Sequence, residues 1–158
     1  MLNLLEEARL FKECTSQELL DINDVCQKIS YKNGECIFKA KSPAESLYIV
    51  SEGAVELRFT VTLYQSSQEI TIDRISKGET FGWSALAESH AYSLSAFVVK
   101  DSNLLRIKEK DLIRLCTATH HLGYILMKNI AEIISERFEL VQKMLIDLIR
   151  KDLSEKEL

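Results

Sequence analysis

The spacing of apolar side chains changes twice along this chain. Leu2, Leu5, Leu10 and Phe11 recur at helical intervals, and a second run follows at Leu19, Leu20, Ile22, Val25, Cys26 and Ile29. Short helices are expected there, and Thr15 with Glu18 fits a capping box, in which hydroxyl and carboxylate satisfy free amides at a helix start. From Tyr31 to about Ile107 the period falls to two. The segments "ECIFKA", "SLYIV", "AVELRFTVTLY", "QEITIDRI", "SLSAFVV" and "SNLLRIK" largely alternate apolar with polar residues, as half-buried antiparallel strands must. Turn chemistry at Asn33-Gly34, Ser42-Pro43, Glu52-Gly53 and Lys77-Gly78 separates them, and the polar "YQSSQ" reads as a flexible hairpin tip. Many short strands in this pattern predict a small barrel or a double-sheet roll.

After Lys108 the helical period returns. "KEKDLIRLCTA" predicts a short helix, and His120 to about Lys151 a long one. Along the long helix Met127, Ile130, Ile134, Arg137, Val141, Met144 and Leu148 follow steps of three and four, the rhythm that keeps one seam towards a partner helix. About thirty residues rising 1.5 Å each span roughly 45 Å, more than a body this size covers. The first turns are expected on the β body and the distal part against a second copy, giving a homodimer.

With 46% hydrophobic content, 158 residues bury one core, and no Pro- or Gly-rich stretch divides them. The reading is one domain, with the β body and its N-terminal helices over 1–118 and the long helix over 119–158. Twenty basic against twenty-four acidic residues give a net charge of −4, without the positive field that nucleic-acid binding draws on. Cys14, Cys26, Cys36 and Cys116 form no CxxC pair, and nothing at the amino terminus resembles a signal peptide, so reduced thiols in a cytoplasmic protein are expected. No run of about eighteen apolar residues supports a membrane span.

The chemistry concentrates in "FGWSAL". A turn ending at Gly82 before a short helix points unpaired amides outward, with no side chain to block approach, and Ser84 and Ser93 add hydroxyls. A phosphate suits such a hollow. Other chemistries lack residues. His90 is the lone histidine of the β region, and the adjacent His120 and His121 point about 100° apart on a helix, so no metal site is expected. Cys116 and His120 stand at i, i+4 without an orienting group or oxyanion hole, so no catalytic residue is assigned.

The order of parts, "LFKECTSQEL", "YKNGECIF", "SLYIVSEGAVEL", "ISKGETFGWSAL" and "DSNLLRIKEKDL" followed by the long helix, resembles the cyclic nucleotide-binding domain of catabolite-activator-like regulators, kinase regulatory subunits and gated channels, over roughly residues 8 to 150. The resemblance implies a mainly β fold: an eight-stranded, jelly-roll-like β-roll with short N-terminal helices and a long C-terminal helix. It also implies a phosphate-binding cassette on Phe81, Gly82, Trp83, Ser84, Ala85 and Leu86 and the strand that follows, with cyclic AMP, cyclic GMP or another small ligand as occupant. In the family a glutamate of the cassette binds the ribose hydroxyl and an arginine pairs with the phosphate. Here Trp83 stands at the glutamate position and Tyr92, followed by Ser93, at the arginine position. Losing two charged hydrogen-bonding anchors weakens a cyclic nucleotide by about 3 to 6 kcal/mol, or two to four decades of affinity. The transcription factors of that family carry a helix-turn-helix after the long helix. "RKDLSEKEL" is too short and too mixed in charge to enter a groove, so direct DNA binding by this chain is not expected. Two functions follow: a ligand-sensing module of altered selectivity, and an interaction dimer whose hollow is filled by its own side chains.

Overall fold

The structure, a computed structural model, describes residues 1–64 and 66–156. Helix α1 (Leu2–Glu7), a 3-10 turn (Arg9–Phe11) and α2 (Ser16–Val25) open the chain. Both halves of the capping box form: Thr15 Oγ1 accepts from the Glu18 amide at 3.3 Å, and the Glu18 carboxylate accepts from the Thr15 amide at 2.8 Å. The helical run does not extend to Ile29. Cys26 ends α2 in an extended conformation, and β1 (Gln27–Tyr31) pairs antiparallel with a later strand. Ile29 and Tyr31 also fit a period of two, and a partner strand decides between the two periods.

The β body consists of β1, β2 (Cys36–Phe38), β3 (Ser46–Leu63), β4 (Ser66–Ile75), β5 (Thr80–Phe81) and β6 (Ser95–Lys108), all antiparallel in the order β1-β6-β3-β4, with β2 on β6 and β5 on β3. The eight expected strands are eight paired segments in six continuous strands. The β3–β6 register shifts between Val50 and Val55, and on either side of that bulge the partners differ. The first half of β3 pairs with β5 and the second half with β4, while the first half of β6 pairs with β2 and the second with β1. Gly53 makes the bulge possible. Its φ is +95°, and a Cβ there would lie 2.2 Å from Ser102 Oγ and 2.5 Å from the Asp101 carbonyl. The polar stretch after β3 is less of a loop than its composition predicts. Ser66, Ser67 and Gln68 extend the ladder opposite Leu63, Thr62 and Val61, and Gln65 lies outside the described residues.

Alternation along β3 and β6 splits the interior in two. Leu47, Ile49, Leu105 and Ile107 face the helices, with Leu5, Leu10, Phe11 and Ile22 against them. Tyr48, Val50 and Leu104 face the inside of the roll, with Val55, Ile75, Phe81 and Val98. Helices α3 (Glu109–Ala118) and α4 (His120–Lys156) close the chain. The first turns of α4 bury Leu122, Ile125, Leu126 and Ile130, and the Asn129 amide donates to the carbonyls of Leu10 and Lys12 at 2.9 and 2.8 Å. From Phe138 to Ser154 every residue is exposed. Among the described residues no helix is long and apolar enough to cross a membrane.

Candidate functional site

Strand β5 delivers the chain to Gly82, whose φ is +82°. A Cβ at that position would stand 2.9 Å from the Ser46 carbonyl and 3.2 Å from the Tyr48 ring, so β3 comes too close for any larger residue. The short helix expected next is a single 3-10 turn, Trp83–Leu86, closed by the Ala85 amide on the Gly82 carbonyl and the Ala87 amide on the Ser84 carbonyl, both at 3.1 Å. Phe81 and Ala85 are fully buried beneath it, and Leu86 packs towards the helices. The hydroxyls of Ser84 and Ser93 meet at 3.4 Å, so the structure brings these two predicted residues together at the mouth of the hollow.

Tyr92 behaves differently from the expectation. Its ring is stacked on Phe38 at 3.6 Å between centroids, and its hydroxyl donates to the Ser46 carbonyl at 2.8 Å and accepts from the Ser46 amide at 3.3 Å. Burial raises its pKa above the ordinary phenol value, against the opposing bond to Ser46. Tyr92 borders the hollow, but its hydroxyl is bonded to the Ser46 backbone. Trp83 does sit at the hollow, with its indole Nε1 buried and without a partner among the described residues. The space left between Phe38, Gly82, Trp83, Ser84, Ser93 and Arg137 is about 30 Å³, room for a water or two.

Arg137 is the residue that sequence spacing misplaced. Its position in the apolar stripe predicts a seam residue, but α4 presents it to the β-roll. Its Nε donates to Asp73 Oδ2 at 2.9 Å, Nη2 lies 2.8 Å from the same oxygen, and the guanidinium carbon sits 5.0 Å from the Trp83 ring centroid. The side chain is only 12% exposed. Ile130, in the first turns of the helix, is buried in its own chain's core, as expected of those turns. Met127, Ile134, Val141, Met144 and Leu148 are exposed. The available signal was chemical: Arg137 is the one charged member of the stripe, and a cation in an apolar row needs a carboxylate opposite.

Beyond the Asp73–Arg137 pair lies a second cavity of about 230 Å³, bordered also by Arg9, Thr80, Ile133 and Glu136. Arg9 and Glu136 form a two-pronged bridge there, both contacts 2.7 Å, and Thr80 Oγ1 is buried without a partner among the described residues. The other chemistry-bearing groups are tied into structure. His121 Nδ1 lies 2.9 Å from Glu18 Oε1, joining α4 to α2. Burial pushes the thiols of Cys14 and Cys26 up to about 12 and raises that of Cys116, which disfavours a thiolate. No group of three or more His, Cys, Asp or Glu suited to a metal ion occurs among the described residues.

A bulged antiparallel roll, a glycine turn at its mouth and a long helix that brings Arg137 to that mouth define the β-roll class of ligand-binding domains. The particular family is shown by a profile match to the cyclic nucleotide-binding domain over residues 28–119, and the chain belongs to that family. It is 31% identical over 110 residues to the cyclic AMP receptor protein of Thermus thermophilus, covering 67% of this chain and 50% of that protein. It is 30% identical over 94 residues to the cAMP-dependent protein kinase type II regulatory subunit of Drosophila melanogaster, covering 60% of this chain and 24% of the other. Among solved structures, the catabolite activator protein of Thermus thermophilus superposes with a TM-score of 0.72 at 26% identity, over 90% of this chain and 63% of that one. The match therefore spans half or less of the length of these curated relatives.

Proposed function

We propose that this chain is a non-enzymatic regulatory module that binds a small phosphate-bearing ligand at the Gly82 turn, with selectivity altered from that of cyclic nucleotide-binding domains. The carrying observation is the combination at one turn: Gly82 keeps the left-handed, closely packed geometry, while the ribose-binding glutamate and phosphate-binding arginine positions hold Trp83 and Tyr92. Residues 119–158 act as the output segment. Their first turns are anchored on the β body, and their exposed apolar row suits a second copy of the chain in a cytoplasmic homodimer. A net charge of −4 argues against direct contact with DNA. Calorimetric titration of the full chain with cyclic AMP and cyclic GMP tests the reading. A ligand at 100 times its dissociation constant adds about 2.7 kcal/mol of stability, so a thermal shift accompanies binding. Weak, saturable binding is the expected result, and no heat and no shift at millimolar concentration would exclude cyclic nucleotide sensing.

The opening of only about 30 Å³ supports a second reading, in which the hollow stays closed and the exposed face of α4 is the working surface of an interaction dimer. Under that reading no small ligand binds, yet disrupting the α4 row still changes the mass in solution.

A further inference from the structure

We propose that Arg137, carried by α4, is the cationic anchor of the Gly82 hollow, and that its pairing with Asp73 is the closed state of that anchor. This rests on the ligand-binding reading above and assigns the ligand an anionic phosphate group. Three features carry it. Among the described residues bordering the hollow, Arg137 is the only cation, so the charge absent from position 92 is supplied by the helix. The pair is also geometrically poor. Nε and Nη2 converge on a single oxygen, Asp73 Oδ2, while Oδ1 accepts from the Arg74 amide at 2.8 Å. Arg9 with Glu136, by contrast, forms the parallel two-oxygen fork that guanidinium prefers. A phosphate offers two oxygens to that fork, so Arg137 improves its bonding by leaving Asp73 for it.

The third feature is spatial. Arg137 borders both the opening of about 30 Å³ and the cavity of about 230 Å³ on its far side. When the guanidinium moves, the wall between them moves too. The joined space approaches the few hundred Å³ that small-molecule sites occupy, with phosphate at the Ser84–Ser93 end and the remainder of the ligand among Thr80, Ile133 and Leu140. Trp83, the single tryptophan of the chain, lies under the guanidinium and reports its departure.

The test titrates cyclic AMP, cyclic GMP and inorganic phosphate at constant ionic strength into the full chain, read by calorimetry and Trp83 fluorescence. Wild type, Arg137→Gln, Arg137→Lys, Asp73→Asn and the double variant Asp73→Asn/Arg137→Gln are compared, each confirmed folded by circular dichroism. Arg137→Gln is expected to weaken the cyclic nucleotides by about tenfold to a hundredfold, with Arg137→Lys in between. Asp73→Asn is expected to tighten them severalfold, and the gain should vanish in the double variant. Equal affinity of wild type and Arg137→Gln would overturn the anchor while leaving the ligand-binding reading standing. If wild type binds neither nucleotide but phosphate saturates Asp73→Asn and not the double variant, the anchor stands and cyclic nucleotide sensing fails. If no variant binds any of the three probes, the anchor is overturned as well.

Discussion

Replacing Tyr92 with phenylalanine removes a single buried oxygen whose cost can be worked from the ladder around it. The Glu109 amide bonds the Glu45 carbonyl at 2.9 Å, so in the alternating antiparallel pattern the next pair, Ser46 opposite Lys108, turns its N–H and C=O away from β6. Strand β5 is two residues long and pairs only with Tyr48 and Ile49. Tyr92 Oη serves both groups of Ser46 in its place. Phenylalanine keeps the stack on Phe38 but strands a buried donor and a buried acceptor, each costing about 1–3 kcal/mol when unsatisfied, with partial relaxation bringing the sum to about 2–3 kcal/mol. With a urea slope of about 2 kcal/mol/M the unfolding midpoint falls by about 1 M or slightly more. Equilibrium unfolding followed by circular dichroism measures this, with Tyr31→Phe as a control expected within about 0.5 kcal/mol of wild type. Affinity for any ligand of the hollow should be nearly unchanged, because the hydroxyl faces β3. A Tyr92→Phe protein as stable as its parent would refute the reasoning and return the phenol to the list of groups free to meet a ligand.

Gly82→Ala places a Cβ 2.9 Å from the Ser46 carbonyl at a left-handed φ, and a loss of about 2 kcal/mol is expected in the same unfolding experiment; unchanged stability would mean that the turn relaxes. Glu18 is buried, which raises its pKa, yet bonds from the Thr15 amide and from His121 hold it below its ordinary 4.5. A depressed carboxyl stabilises the fold above its ordinary pKa and loses that contribution as the pH falls through the lower folded value. Glu18→Gln should therefore destabilise at neutral pH and flatten the acid limb of the stability profile below about 4.5, and parallel profiles would contradict this. Ile134→Asp with Val141→Asp is expected to convert a dimer to a monomer in light scattering, since each charge would be desolvated at the seam; an unaltered dimer mass would remove α4 as the interface.

The sequence made the period changes easy to read, because each is fixed by many residues at once. The Thr15–Glu18 box, the start of α4 and the glycine turn rest on local chemistry and stand where that chemistry puts them. Ile29 was harder: Cys26 and Ile29 fit a helical stripe as well as Ile29 and Tyr31 fit a strand, and only the distant β6 breaks the tie. The partners of Tyr92 and Arg137 are hidden from the sequence for the same reason in different guises. Nothing near position 92 indicates that Ser46 has an unpaired edge 46 residues earlier in the chain. Nothing near position 137 reveals that Asp73, 64 residues away in sequence, is its direct partner in space. Periodicity reports which face a residue shares, and long-range polar partners decide what that face touches.

Helix α4 is a single uninterrupted rod of 37 residues, packed on the body over its first turns and exposed from Phe138 to Ser154. From Arg137 to its last described turn at Lys156 the rise amounts to about 28 Å. Each degree by which the rod pivots about Arg137 therefore sweeps its tip through about 0.5 Å, so an adjustment too small to disturb the roll becomes a displacement the size of a side chain at the far end. A tilt of that kind at the Arg137 contact would be magnified by leverage alone, without any relay of intermediate contacts.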